Sequence, residues 1–337
     1  MTGYPKQRRA EGVAQSLPQS LRAALAGASA MFAVCASPVF AAPAVAPASC
    51  TALVEIFNTA TDAGRDKDAQ AAIDKVAGDA SCAGLQTQML RRLAAVRLSH
   101  AQKLMTQSKP LSAFEGALIA AEKPQVLWQA SATLAEVRFG ARAFGEAAQA
   151  FDRAIEIVKN ETLTPVAPQL QDIQRLLDRA SQARILAASQ PQNGSKGEFV
   201  KTASNADGSL GGAFSPLVRG IVPRAVPMPI IFGYRSAELT PVGLQAANEL
   251  LRALQEQQPQ KIKVIGHTDP RGGAEYNLKL SKARAETVAT FLRDNGITLP
   301  IETEGRGAEE PLQIEAATGL SPDDLNALNR RVEWRRE

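Results

Sequence analysis

Apolar residues recur at helical spacing from Cys50 to about Ser189. Leu85, Met89 and Leu93, for example, lie four residues apart, which is typical of one face of an amphipathic helix. Glycine and proline interruptions divide this stretch into roughly seven helices with short turns between them. Such a series predicts antiparallel helical hairpins that stack side by side.

One hairpin carries a more specific pattern of small and large residues. The positions are Leu134, Ala135, Phe144, Ala147, Phe151 and Ala154. Their spacing resembles a tetratricopeptide repeat, in which alanines allow two helices to approach and aromatic residues fill the gap. Arg138 and Arg142 depart from the repeat, which usually has an aromatic residue and a glycine there. An irregular helical bundle is the alternative. In both cases we expect a scaffold or a surface for a protein partner.

The pattern changes after residue 188. Ser189–Ser215 contains five glycines and five serines with almost no apolar period, which predicts a flexible linker over 189–222. Residues 223–337 then alternate strand and helix patterns and predict a two-layer βαβαββ α/β domain. The predicted elements are strands at Val226–Phe232, Lys261–Gly266, Ile301–Glu304 and Arg331–Trp334, and helices at Thr240–Gln257 and Tyr276–Arg293. The expected fold class is therefore a helical domain over 42–188, a linker and a C-terminal α/β domain.

Residues 1–41 have the three parts of a secretory signal peptide. Scattered bases precede an apolar stretch at Ala23–Ala36, and Val39-Phe40-Ala41 fits cleavage after Ala41. An uncleaved membrane anchor and a lipoprotein are the alternatives, and the residues before Cys35 and Cys50 do not form a convincing lipobox. We therefore expect a periplasmic protein.

Cleavage leaves Cys50 and Cys82 in an oxidising compartment, where they are predicted to form a disulfide, with two buried thiols as the alternative. No CxxC motif occurs and the chain has two histidines, so neither a metal site nor a cofactor is expected. The leader holds four bases and one acid, so it supplies +3 of the net charge of +4. The remaining +1 gives no field for nucleic acid, which is excluded as a partner.

The candidate chemistry lies between the second strand and the following helix of the α/β domain. The sequence reads Gly266-His267-Thr268-Asp269-Pro270-Arg271-Gly272-Gly273, followed by Tyr276-Asn277, Leu280-Ser281 and Arg284-Ala285, and later by Asn329-Arg330-Arg331-Val332. A strand-to-helix turn leaves backbone N–H groups free for an anion. An aspartate there can pair with an ammonium group, and an arginine can hold a carboxylate with two parallel hydrogen bonds. A plain ion pair between Asp269 and Arg284 is the structural alternative.

These motifs resemble the OmpA-like peptidoglycan-binding domain, the C-terminal module shared by OmpA, Pal and MotB. The resemblance covers 223–337 and implies non-covalent binding of a peptidoglycan stem peptide that contains diaminopimelate. The residues it assigns to the pocket are Thr268, Asp269, Asn277, Leu280, Arg284 and Arg331. Arg330 and Arg331 alternate on a strand, so one of them faces the pocket.

The sequence lacks GxSxG, HExxH, GxGxxG and Walker motifs, so we expect no enzymatic activity. The expected function is a wall-binding envelope protein of a Gram-negative bacterium. The alternative is a membrane-anchored accessory of an envelope machine, similar to MotB. A wall hydrolase is the competing hypothesis from a different class.

Overall fold

A computed structural model describes residues 48–82, 84–189, 199–203, 210–215, 217–222, 225–314 and 319–337. The predicted leader, residues 1–41, lies outside the described residues. No helix in the described ranges is long and apolar enough to cross a membrane.

Seven helices form the N-terminal part, as the apolar periodicity predicts. They are α1 (Ala48–Asp62), α2 (Asp66–Ala77), α3 (Leu85–Thr106), α4 (Leu111–Glu122), α5 (Trp128–Gly140), α6 (Phe144–Lys159) and α7 (Leu170–Ser189). Neighbouring helices pack on one another along the chain. The tetratricopeptide-like character of α5 and α6 stays a prediction.

A disulfide joins Cys50 and Cys82, which confirms the predicted pairing. Both cysteines are fully buried in a core with Phe57, Ile73 and Leu93. The bond connects the first turn of α1 to the short 3₁₀ turn Ala80–Cys82 that precedes α3. It therefore closes the hairpin of α1 and α2 at its open end.

The C-terminal part has the predicted strand and helix order, with one additional short helix before the last strand. Its elements are β1 (Ala225–Met228), α8 (Pro241–Gln257), β2 (Ile262–Gly266), α9 (Ala274–Asp294), β3 (Ile301–Gly305), α10 (Pro322–Asn329) and β4 (Val332–Arg336). The sheet order is β1-β4-β2-β3, and only β2 and β3 run parallel. Val264, Val332 and Trp334 face α8 and α9 and form one apolar core with them.

The second face of the sheet is polar and lies against the N-terminal helices. Arg331, Glu333 and Arg335 lie on this face, opposite the core side of β4. A cleft of about 760 Å³ separates them from polar side chains of α7, such as Gln182. Helix α7 therefore covers this face only near β1, and at the other edge Glu302 of β3 is exposed.

Helix α10 joins the two parts of the molecule. Ala327 and Leu328 are buried in the apolar core of α5, α6 and α7 rather than in the core of the sheet. Arg142, in the turn between α5 and α6, donates two hydrogen bonds to Asp324 of α10, at 2.7 and 2.9 Å. Asp324 also completes a capping box with Ser321 at the start of α10.

The described part of the predicted linker also contacts both regions. We call residues 199–203 and 210–215 the strap. On the C-terminal side, the backbone N–H of Thr202 donates to Glu249 at 2.8 Å, and that of Leu210 donates to Glu256 at 2.8 Å. Both acceptors lie on α8.

On the N-terminal side, the strap is held by two acidic residues of α6. The N–H groups of Ala203 and Gly212 donate to Asp152 and Glu156. Phe214 is also buried in the core of the sheet. The structure corrects the expectation of a flexible linker at these positions, because their N–H groups and apolar side chains are bound. The rest of the predicted linker includes residues 190–198 and 204–209, which lie outside the described residues.

Candidate functional site

The candidate site lies where the parallel strands β2 and β3 end and β4 begins. Gly266 at the end of β2 pairs with Gly305 of β3 and with Val332 of β4. Three chain segments therefore meet at one edge of the sheet. The chain leaves β2 through Thr268, whose N–H donates to the carbonyl of Gly307 at 2.8 Å, and continues to Asp269.

Two glycines and a serine bring α9 against this edge. A Cβ atom on Gly266 would lie 2.1 Å from the carbonyl oxygen of Ser281, and one on Gly305 would lie 2.7 Å from its hydroxyl. The Ser281 hydroxyl is buried and accepts a hydrogen bond from the N–H of Gly307 at 2.9 Å. The close approach explains why the sequence has glycine at both strand ends. It also sets α9 so that Asn277 and Arg284 face the loop of Asp269.

Asp269 is an ionised carboxylate held by two arginines. Arg271 donates from its side chain to both carboxylate oxygens, at 3.2 and 2.7 Å, and Arg330 donates to one of them at 2.8 Å. Burial alone would raise the pKa of Asp269, but the hydrogen bonds from these arginines outweigh it and lower the pKa to about 2. Asp269 therefore carries its charge throughout the physiological range.

Arg284 is a buried cation that contacts no carboxylate among the described residues. Only 6% of its surface is exposed, its Nε donates to the carbonyl of Ser236 at 3.0 Å, and its guanidinium lies 5.0 Å from the ring centre of Phe232. Burial, followed by the nearby Arg330, lowers its pKa. Among the described residues no carboxylate lies within 4 Å of its nitrogens. The plain ion pair between Asp269 and Arg284, which was the structural alternative, is therefore not formed.

The other predicted site residues near Asp269 and Arg284 are Asn277, Thr268 and Leu280. The amide of Asn277 donates to the carbonyl of Arg271 at 3.2 Å, so it supports the loop that carries Asp269. The Thr268 hydroxyl is buried and has no hydrogen-bond partner in the described structure. Leu280 is half-buried on α9, one turn from Arg284.

Comparison with known proteins identifies this part of the chain. Residues 231–319 match the model of the OmpA family. The chain carries an OmpA-like domain at its C-terminus. The match includes the loop of Asp269 and all of α9, and the helices α1 to α7 lie outside it.

Individual relatives each resemble about a third of the chain. The probable lipoprotein YiaD of Escherichia coli (strain K12) is 33% identical over 109 residues, which are 32% of this chain and 48% of YiaD. The peptidoglycan-associated lipoprotein of Legionella pneumophila is 33% identical over 105 residues, which are 31% of this chain and 57% of that protein. The chain thus spans about half the length of these relatives.

Among solved structures, the cell wall anchor of the T6SS from Pseudomonas aeruginosa is 30% identical to this chain. The likeness covers 34% of this chain and 80% of that structure, with a TM-score of 0.28.

The structure places Arg330, and not Arg331, at the site of the OmpA-like domain. Arg331 is 5% exposed and donates from Nε to Glu333 at 2.7 Å, on the sheet face that points toward α7. Strand β4 begins only at Val332, so Arg330 still belongs to the turn after α10 and points to Asp269. The prediction that one of these two arginines faces the pocket holds for Arg330. The prediction of Arg331 as the pocket residue is wrong, because its side chain lies on the other face.

His267 takes no part in the pocket of the OmpA-like domain. Its side chain is 1% exposed, and its Nε2 lies 3.7 Å from Glu333 on the polar sheet face. Burial, followed by the nearby Arg331, lowers the pKa of His267 to about 4. The imidazole is therefore neutral at physiological pH, and we regard it as a structural residue.

Three residues at the mouth of the pocket were not among the predicted site residues. Tyr234 and Arg235 are exposed in the turn after Phe232, and the Arg235 guanidinium lies 5.5 Å from the ring centre of Tyr276. Arg271 covers the solvent side of Asp269 with a side chain that is 63% exposed. Arg271 had a local signal, since it stands two residues after the aspartate. Arg235 had only its place in Gly233-Tyr234-Arg235, a departure from the family pattern at the rim of the pocket, and its orientation depends on the turn.

Proposed function

We propose that this protein binds peptidoglycan non-covalently through its OmpA-like domain and does not cleave it. The proposal depends mainly on Arg284, which is buried without a carboxylate partner beside the ionised Asp269. A buried, unpaired arginine costs free energy unless a ligand satisfies it. The similarity to a peptidoglycan-associated lipoprotein supports the choice of the wall as the ligand.

The ligand group that suits these residues is the diaminopimelate of a stem peptide. It carries a carboxylate, which the two Nη groups of Arg284 can hold with parallel hydrogen bonds. It also carries an ammonium group, which suits Asp269. Arg271 contacts the Asp269 carboxylate from the solvent side. The ligand's ammonium group can replace Arg271 there at a small cost in free energy, because the Arg271 side chain is 63% exposed. Thr268 and Leu280 would line the same pocket.

Wall binding implies a location in the periplasm of a Gram-negative envelope. Helices α1 to α7 would then present a surface to an envelope protein partner. Affinity capture with the full mature chain, followed by cross-linking through α1–α4, tests this part of the proposal. Cross-links to the wall domain alone would contradict it.

Co-sedimentation with purified sacculi tests the binding site. We expect Asp269→Ala and Arg284→Lys each to weaken binding by about one to two decades, because each loses a charge-assisted hydrogen bond of roughly 1.5–3 kcal/mol. Lysine keeps the charge of Arg284 but not its two-pronged geometry. Arg252→Lys on α8 is the matched control, since Arg252 forms an exposed pair with Glu256.

Melting temperatures of the same proteins separate binding from folding. Unchanged sedimentation of both Asp269→Ala and Arg284→Lys would overturn the proposed site. Failure of the wild-type chain to sediment with sacculi would overturn the proposed function. Release of soluble muropeptides from sacculi by the purified protein would replace it with the hydrolase hypothesis.

A further inference from the structure

Arg235 occupies a backbone position that does not favour arginine. The N–H of Ser236 donates to the carbonyl of Gly233 at 3.1 Å and closes a tight turn. Arg235 is the third residue of this turn and has a φ of +52°. That position favours glycine or asparagine, because a Cβ atom is strained there. Strained residues of this kind concentrate at functional sites.

Two other arginines of the described structure also have positive φ, and both are paired. Arg142 donates to Asp324, and Arg219 contacts Glu161 at 2.9 Å. Within the described ranges, Arg235 has no carboxylate within 4 Å, and its guanidinium rests on the ring of Tyr276. The strain at Arg235 is therefore not compensated by an ion pair.

The turn of Arg235 also holds the buried cation of the pocket. Ser236, the next residue, accepts the hydrogen bond from Nε of Arg284. Arg271 and Arg330 neutralise Asp269, and Arg284 lies at the same edge, held by the residue that follows Arg235. Among the described residues, neither Arg235 nor Arg284 has a carboxylate within 4 Å, and Asp269, which already pairs with two arginines, acts on Arg284 only from a longer distance. An ammonium group alone does not match these two arginines.

We propose that Arg235 and Arg284 form a two-cation subsite that binds two free carboxylates of one stem peptide. The inference rests on the proposed function and specifies its ligand. Arg284 would hold the carboxylate that enters the pocket, and Arg235, supported by Tyr276, would hold a second one at the mouth. The domain would then distinguish free stem peptides from amidated ones.

The probe is a soluble diaminopimelate-containing tetrapeptide with all carboxylates free, compared with forms in which one carboxylate is an amide. Binding to the full mature chain is measured by calorimetry. Arg235→Gly removes the cation and relieves the turn, so we expect an equal or higher melting temperature. Affinity for the free peptide should fall about three- to tenfold, as for an exposed charge-assisted contact.

Discrimination is the more specific measurement. Wild type should bind one of the amidated peptides about three- to tenfold more weakly than the free peptide. Arg235→Gly should bind that amidated peptide and the free peptide with equal affinity. Arg235→Lys keeps the charge and should retain part of the preference. Gln258→Gly is the matched control, since Gln258 has a φ of +42° at the end of α8. It should gain stability without a change in binding.

The outcomes separate the two proposals. Wild-type binding to sacculi combined with equal affinity of wild type and Arg235→Gly for the free peptide would overturn the subsite and leave the proposed function intact. If wild type bound every amidated form as tightly as the free peptide, this result would also overturn the subsite and leave the proposed function intact. Absence of wild-type binding to sacculi would overturn both.

Discussion

Arginines at the junction of the two regions are matched by carboxylates, whereas two at the mouth of the OmpA-like domain are not. At the junction, Arg142 pairs with Asp324, and Arg331 pairs with Glu333. At the mouth, Arg235 and Arg284 have no carboxylate within 4 Å among the described residues. The first group is satisfied within the fold and contributes to stability. In the proposed function a ligand supplies the carboxylates for the second group, so substitutions in the two regions should affect different measurements.

The largest effect on stability is expected for Asp324→Ala at the junction. The Asp324 side chain is 1% exposed, bonds to Arg142 and caps α10 with Ser321. Loss of the cap and of the charged hydrogen bonds should lower the free energy of unfolding by about 2–4 kcal/mol. Denaturant unfolding measures this change. Asp323→Ala, at the exposed neighbouring position, is the control and should change little. Equal losses in both variants would contradict a specific role for Asp324.

Acid should reveal a smaller contribution from Asp269. Its pKa falls from 3.8 to about 2 in the folded protein, so its stabilisation is complete above pH 4 and is lost as the pH falls through about 2. The difference corresponds to about 2 kcal/mol. The free energy of unfolding is compared between wild type and Asp269→Asn from pH 6 to pH 2. Parallel curves for the two proteins would show that the carboxylate is not held as described.

The smallest effect is expected for Arg271→Ala at the mouth. Its side chain is 63% exposed, and exposed ion pairs contribute about 0–1 kcal/mol. The melting temperature should therefore stay within a few degrees of wild type. Arg330→Ala removes the less exposed partner of Asp269 and should cost more. A larger loss of stability in Arg271→Ala than in Arg330→Ala would show that Arg271 is a structural residue that a ligand does not replace.

The sequence predicted the elements whose signals are local. Helical periodicity predicted α1 to α7, and the motif from Gly266 to Arg284 predicted a strand end facing a helix. Helix α10 was missed although Ser321, Pro322 and Asp324 form a typical helix start. Its eight residues are too few to show an apolar period.

Features that depend on distant contacts could not be predicted. The choice between Arg330 and Arg331 requires the pairing of Val332 with Gly266, which is set across the sheet. The strap looked like a linker because its composition is rich in glycine and serine. Its order comes from carboxylates on α6 and α8, which are separated from it by 46 or more residues along the chain. Composition carries no information about such partners.

The strap has a mechanical consequence. Its backbone N–H groups donate hydrogen bonds to Asp152 and Glu156 of α6 and to Glu249 and Glu256 of α8. Residues 199–215, fully extended, would span about 60 Å. A pull between a wall-bound OmpA-like domain and the α1 end of the molecule cannot draw on this length until those bonds break. Such a force would therefore load these four hydrogen bonds before the described residues of the strap could extend.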